Sequence, residues 1–199
     1  MDARYWDEKY GRRERLFSGS PNGVLVTEAA GLEPGQALDA GCGEGADALW
    51  LARHGWLVTA VDISLVALAR AREATGDLAD RVAWARADLT AVPPPARAFD
   101  LVSIQYFPLP KQPDHTALHG LLAAVAPGGT LLVVGHGPTD PPHHENGFDP
   151  ADHYAPSDIA AHLGEDWTVL VDESRPRTAP APAGTRPTHD AVLRARRLR

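Results

Sequence analysis

Ala37-Leu38-Asp39-Ala40-Gly41-Cys42-Gly43-Glu44-Gly45, followed by Val58-Thr59-Ala60-Val61-Asp62-Ile63-Ser64, is the stretch that decides the fold. It reads as a buried strand, a glycine turn, a helix and a second strand that ends in an acid. The helix starts near residue 45, carries Ala46, Leu49, Trp50 and Arg53 in register, and is closed by Gly55. A strand-turn-helix-strand unit of this kind holds an adenosine-containing cofactor.

Outward from it, the pattern repeats. Gln36 to Asp39 and Leu57 to Val61 are strands one and two. Ser64 caps a helix with Leu65, Leu68 and Ala69 on one face. Val82 to Ala87 is strand three, Pro93-Pro94-Pro95 breaks the chain, and Phe99 to Gln105 is strand four. That last run is apolar throughout, as in a sheet covered on both faces. Thr116 to Val125 is helical, and Pro127-Gly128-Gly129 turns into strand five, Thr130 to Gly135. Residues 136 to 156 form a loop rich in His, Pro and Asp, and Ser157 starts a short helix. Trp167 to Asp172 and Ala191 to Leu198 are the last two strands. With no helix between them they form an antiparallel pair at the sheet edge. The fold class is α/β, a doubly wound, mostly parallel seven-stranded sheet with an antiparallel last strand.

Before the core, residues 3 to 15 mix both charge signs, with Trp6 and Tyr10 four apart, and predict a short amphipathic helix. Ser20-Pro21 reads as an N-cap and first helical position, after which Leu25, Ala29 and Leu32 share a face. The expected organisation is one domain over 1–199, with a helical cap in 1–33 and the α/β core in 34–199.

Bulk properties narrow the function. The 199 residues include 44% hydrophobic and 23% charged residues, the balance of a globular protein with a proper core. A net charge of -7 argues against a broad basic face for nucleic acid. Cys42 is the single cysteine, so neither an internal disulfide nor a cysteine metal cage can form. No apolar run approaches the roughly 20 residues needed to span a bilayer. The charged N-terminus lacks the apolar core of a signal peptide, so the expected location is the cytoplasm.

Gly41-Cys42-Gly43-Glu44-Gly45-Ala46 satisfies the loose dinucleotide pattern, and Asp62 stands about where that fold places a ribose-binding acid. Further residues separate a dehydrogenase from the alternative. Asp39, two residues before the first glycine, repels a pyrophosphate and attracts a cationic amine. Asp88-Leu89 follows strand three, where a side chain can accept from an adenine amino group. Ala126-Pro127-Gly128-Gly129-Thr130-Leu131 leads into strand five.

Together these residues resemble the class I S-adenosylmethionine-dependent methyltransferases, over roughly residues 20 to 175. Tyr5-Trp6-Asp7-Glu8-Lys9-Tyr10 and Ser18-Gly19-Ser20-Pro21-Asn22 are similar to the small bacterial thiopurine- and tellurite-resistance-type members. The resemblance implies S-adenosylmethionine as cofactor and S-adenosylhomocysteine as product. It implies backbone approach of the cofactor at Gly41, Gly43 and Gly45, with the helix N-terminus behind them favouring its carboxylate. Asp39 lies near the methionine end, and Asp62 takes the ribose hydroxyls. Ile63 packs on adenine, Asp88 and Leu89 hold its edge, and Gln105 lies between cofactor and acceptor. Plainer roles stand beside these: Asp62 as a helix cap, Asp88 as a turn residue, Gln105 as a strand-end polar group, Cys42 as small-residue packing. Trp6, Tyr10 and Phe17 read either as a lid whose aromatic faces attract the sulfonium or as a helix docked on the sheet.

The acceptor is expected to be a small molecule methylated on sulfur, nitrogen or oxygen, with no nucleic-acid, membrane or metal partner. A thiol needs little beyond alignment and exclusion of water, and an oxygen or nitrogen needs a general base. Candidate bases are His136, His143, His144 and His153, with Asp140, Glu145, Asp149 and Asp152 among them; His136 is favoured because it directly follows strand five. Tyr106 and Phe107 line the pocket or pack in the core. Pro108 stands where a histidine is common in the small bacterial members, a departure that speaks against a base inherited at this position. Two further readings keep the fold: a biosynthetic enzyme that cyclises its substrate, and a non-catalytic cofactor-binding module.

Overall fold

The computed structural model describes residues 1–137, 149–178 and 188–199. Its centre is a seven-stranded sheet in the order β3-β2-β1-β4-β5-β7-β6. The strands are β1 (Gln36–Ala40), β2 (Leu57–Asp62), β3 (Val82–Arg86), β4 (Phe99–Gln105), β5 (Val125–His136), β6 (Trp167–Pro176) and β7 (His189–Arg197). β3, β2, β1, β4 and β5 pair in parallel; β7 is antiparallel to both β5 and β6. The expected fold class is the observed one. β1 sits between β2 and β4, so the chain winds away from it in both directions. A crevice opens there at the carboxyl ends of the strands, where open α/β sheets hold ligands.

Six α-helices are described: α1 (Ala3–Gly11), α2 (Gly23–Ala29), α3 (Ala46–Arg53), α4 (Leu65–Glu73), α5 (Thr116–Ala124) and α6 (Pro156–Ala161). Leu25 of α2, Leu51 of α3 and Leu68 of α4 cover one face of the sheet. Leu118 and Leu121 of α5 and Ile159 of α6 cover the other. Leu38 and Leu101, on neighbouring central strands, are fully buried against opposite layers. Each such leucine contributes about 1.5–3 kcal/mol relative to exposure. The double covering is the reason β4 reads as an uninterrupted apolar run.

Several boundaries differ from the sequence expectation, β6 running on to Pro176 rather than ending at Asp172, and three of the differences have a local reason. The first helix stops at Gly11 rather than reaching residue 15, and the backbone of Leu16 and Phe17 turns to bond the Glu44 carboxylate instead. α2 begins at Gly23 with Asn22 as N-cap, not at Ser20-Pro21. There Asp47 of α3 takes both the Asn22 backbone N–H and its Nδ2, each at 2.7 Å, and anchors the chain two residues later. β5 begins at Val125, five residues early, because Val125 already pairs with Phe99 before the register shifts. Gly129 fits that irregularity: a Cβ there would lie 3.0 Å from the Phe99 carbonyl oxygen.

Candidate cofactor and acceptor site

The turn after β1 is built by its glycines and by an acid from the next strand. Gly41 and Gly43 have φ of +74° and +53°, a region that L side chains rarely adopt. The space above them is also taken. A Cβ on Gly41 would lie 2.6 Å from the Phe107 ring, and one on Gly43 would lie 2.8 Å from the Tyr10 hydroxyl. Gly41 and Cys42 donate their backbone N–H groups to the Val61 carbonyl at 2.8 and 3.0 Å, which ties the turn to β2. Asp62 completes the tie. Its Oδ2 accepts from Gly43 N and its Oδ1 from Ser64 N, both at 2.8 Å. Asp62 therefore braces Ser64, the N-cap of α4, and holds the glycine turn as well. A carboxylate has roughly four acceptor sites, so these backbone bonds do not use all of them.

Three carboxylates are buried round this turn: Asp39, Asp47 and Asp62. Burial raises Asp39 well above the ordinary carboxylate range, and the charges of Asp47 and Asp62 push it further. Burial also raises Asp47 and Asp62. Cys42 is driven well above the usual thiol value by burial and then by Asp39 and Asp62, so it remains a protonated packing side chain rather than a nucleophile.

Two acceptor oxygens stand out. Among the described residues, Asp39 Oδ2 and Gln105 Oε1 are buried and have no hydrogen-bond partner. Asp39 pairs in register with Ser103 on β4, and Gln105 lies two residues further along the same face. Gln105 spends its own donor on the Ser103 Oγ at 3.0 Å. Buried polar atoms are nearly always satisfied, so paired exceptions at a crevice call for a donor from outside the chain. A positively charged N–H donor matches the chemistry of such oxygens and of the acid excess.

Nearer the edge of the sheet an open cleft of about 440 Å³ is lined by Asp2, Ala3, Ile63, Arg86, Ala87 and Asp88. Ile63 and Asp88 thus come together, as the sequence implies. Asp88 also serves a turn, its Oδ1 accepting from Thr90 N and Oγ1 at 2.9 and 2.6 Å. The Leu89 side chain points into the core layer under α5, which leaves its backbone alone to face a ligand.

The N-terminal segment is fastened over the glycine turn. Asp7 accepts from Ser64 Oγ at 2.6 Å and from Val66 N at 3.2 Å; the Ser64 bond holds its carboxyl below the usual range. Glu44, inside the glycine turn, accepts from Leu16 N and Phe17 N and pairs with Arg70 at 2.8 Å. The other end of Arg70 donates to the Tyr10 and Arg13 carbonyls at 3.0 and 2.7 Å. Tyr10 is buried, and its ring lies 6.2 Å from Trp6 and 6.1 Å from Phe17. Trp6 is half-buried, with the Lys9 ammonium 5.2 Å from its ring.

On the acceptor side, His136 ends β5, is exposed, and lies with its ring 5.0 Å from that of Tyr106. His153 is elsewhere, in a bridge with Pro110, its Nδ1 2.8 Å from the Asp149 carbonyl. His143, His144, Asp140 and Glu145 lie outside the described residues. Among the described residues, no group of three histidine, cysteine or acidic side chains is arranged to hold a metal ion. Sequence reasoning missed Arg177 and Asp190. The Tyr106 hydroxyl donates to Asp190 Oδ1 at 2.6 Å and accepts from Arg177 at 2.9 Å, while Arg177 pairs with Asp190 at 3.0 Å. Tyr106 is raised above its ordinary value by burial and by Asp190, so it stays protonated. The one available signal was Tyr106 itself, directly after a buried strand.

Among the described residues no helix is long and apolar enough to cross a membrane. Residues 37–129 match a methyltransferase domain family. Over 97 residues the chain is 40% identical to an uncharacterised methyltransferase of Mycobacterium bovis, a stretch covering 49% of this chain and 48% of that protein. Over 60 residues it is 43% identical to ribosomal RNA small subunit methyltransferase C of Alcanivorax borkumensis, covering 30% of this chain and 18% of that protein. The matched stretches thus span about half or less of these curated relatives. Of solved structures, one described with the conversion of a disulfide bond into a thioacetal group during echinomycin biosynthesis is similar at a TM-score of 0.75 and 24% identity, over 98% of this chain and 91% of that one. The [4+2]-cyclase SpnF is similar at a TM-score of 0.64 and 22% identity, over 87% of this chain and 78% of that one. These likenesses are of fold. The strand order, the acid-glycine turn and the domain match agree that residues 37–129 form a methyltransferase domain, similar in fold to S-adenosylmethionine-dependent methyltransferases.

Proposed function

We infer that the protein transfers a methyl group from S-adenosylmethionine to a small molecule, releasing S-adenosylhomocysteine. The observation that carries this is the pair of buried, unpartnered oxygens, Asp39 Oδ2 and Gln105 Oε1, beside the glycine turn. Asp39 and Gln105 receive the cofactor's ammonium. The backbone of the Gly41–Gly45 turn borders it, Asp62 accepts from the ribose hydroxyls, and Ile63 with Asp88 and the Leu89 backbone borders the adenine. Trp6 and Tyr10 close the cap over it. When bound, the cofactor supplies an electrophilic methyl on a sulfonium, and displacement then needs alignment and a dry site more than acid-base chemistry. Tyr106, held protonated, donates its hydroxyl to Asp190 and does not act as a base. His136, at the end of β5, is the side chain we assign to accept a proton from an oxygen or nitrogen acceptor.

A small-molecule acceptor rather than nucleic acid is favoured by the net charge of -7. The Tyr5–Tyr10 and Ser18–Asn22 segments support a place beside the small thiopurine- and tellurite-resistance-type members, working in the cytoplasm.

Calorimetry with S-adenosylmethionine, S-adenosylhomocysteine and NAD tests the cofactor. Both sulfur compounds should bind and NAD should not; tight NAD binding with neither sulfur compound bound sinks the reading. Mass spectrometry of small thiol, amine and phenol acceptors then tests transfer. Cofactor binding with no acceptor gaining a methyl group would turn the reading toward a non-methylating enzyme or a binding module.

A further inference from the structure

Directly beyond Gln105, the ends of β4 and β7 and the chain leaving β6 bring Tyr106, Asp190 and Arg177 together on the sheet face shared with Asp39. Tyr106 has φ +53°. A bulky aromatic residue in the left-handed region is held there only when its surroundings demand it, and such residues cluster at ligand sites. What holds it is the hydroxyl bridged between Asp190 and Arg177, with the Arg177 guanidinium also 5.1 Å from the ring centre.

The Arg177 side chain is 8% exposed and that of Asp190 5%. Their charges cancel, so this corner carries no net charge to attract an anion. Yet among the described residues Arg177 Nε is buried without a hydrogen-bond partner. Arg194 Nε shares that lack, but its guanidinium is held on the covered part of the sheet by Glu28 of α2. Arg177 instead stands at the strand ends, one residue from the cofactor cradle through Tyr106. The unmet valence is a single N–H in a neutral setting, which matches a neutral acceptor oxygen.

We propose that Arg177 is a specificity-determining residue, oriented by Asp190 and Tyr106, whose Nε–H binds a carbonyl oxygen of the methyl acceptor. This rests on the methyltransferase reading above and names the acceptor class: a small molecule with an amide-type carbonyl close to its nucleophilic atom. Tyr106 and Asp190 are positioning residues.

The test titrates thiophenol, ortho-mercaptobenzamide and ortho-mercaptobenzoate into the protein saturated with S-adenosylhomocysteine. The amide should bind about tenfold more tightly than thiophenol, the scale of one hydrogen bond from a charged donor. Arg177→Lys keeps a cation beside Asp190 but lacks the fork of fixed N–H groups. It should abolish the amide's advantage while leaving thiophenol and S-adenosylhomocysteine affinities unchanged, a selective loss that a merely structural role would not produce. Equal binding of amide and thiophenol, or an advantage that survives Arg177→Lys, overturns the proposal. A carboxylate preferred tenfold over the amide overturns it too, in favour of an oxyanion subsite. Should Arg177→Lys fail to fold by circular dichroism, Tyr106→Phe takes its place, with the amide's advantage expected to fall and its persistence counting against the proposal. Absence of S-adenosylhomocysteine binding would sink the methyltransferase reading alone, and the same titrations on the cofactor-free protein would still decide the subsite.

Discussion

The Asp62 carboxylate accepts the backbone N–H of Gly43 at 2.8 Å, so the acid ending β2 and the turn following β1 form one unit. The acid that the sequence places at a ribose also determines the shape of the glycine turn.

Asp62→Ala should therefore act twice. It removes an acceptor from two backbone donors and from the ligand. Calorimetry should show S-adenosylhomocysteine affinity reduced at least tenfold, and chemical denaturation should show a loss of about 1–3 kcal/mol. An unchanged dissociation constant would remove Asp62 from the site.

Gly43→Ala meets both a positive φ and the Tyr10 hydroxyl at 2.8 Å. The backbone conformation alone costs about 1–2 kcal/mol. In a Tyr10→Phe background the nearest remaining atom is the ring carbon at 3.8 Å, so the steric part should vanish and the φ part persist. A double-mutant cycle in urea measures the coupling; zero coupling would separate Tyr10 from the turn.

Asp39 should link cofactor binding to pH. Burial, then Asp47 and Asp62, raises it in the cofactor-free protein. The stability that this group contributes is present below the ordinary carboxylate value and is lost as pH rises through the raised one. A ligand ammonium favours the ionised form. Between those two values, affinity should rise with pH and binding should release up to about one proton. Titrations in buffers of different ionisation enthalpy read that proton directly. Asp39→Asn should abolish it; the same release in the variant would assign it to Asp47 or Asp62.

Glu44 fastens residues 16 and 17 to the glycine turn. Glu44→Ala should speed amide hydrogen exchange at Leu16 and Phe17 by about tenfold or more while leaving β1 and β4 protected. It should also quicken release of S-adenosylhomocysteine in stopped flow. Exchange that is fast in the parent protein would show that the cap opens independently of Glu44.

Most of the scaffold was legible because it follows local rules. Apolar runs bounded by Gly and Pro marked the strands, and the lack of a helix between β6 and β7 marked their antiparallel pairing. Boundaries slipped where a distant side chain competes for the backbone. Ser20-Pro21 looks like a helix start, but Asp47 holds Asn22 and moves the start to Gly23. The first helix ends at Gly11, and beyond it Glu44, 28 residues along the chain from Leu16, takes the Leu16 and Phe17 N–H groups. No periodicity signals either competition.

The acid-glycine-acid pattern of Asp39, Gly41, Gly43, Gly45 and Asp62 was readable from the chain alone, since spacing along a strand-turn-helix sets which backbone groups face a ligand. Tertiary structure alone decided that Asp39 and Gln105 each keep an unpartnered oxygen, because pairing depends on what packs around a side chain. It alone assembled Tyr106, Arg177 and Asp190, whose hydroxyl bridge spans 71 and 84 residues of sequence. Contacts at that separation exist only once β4, β5 and β7 lie side by side, and the pattern of residues along the chain carries no trace of them.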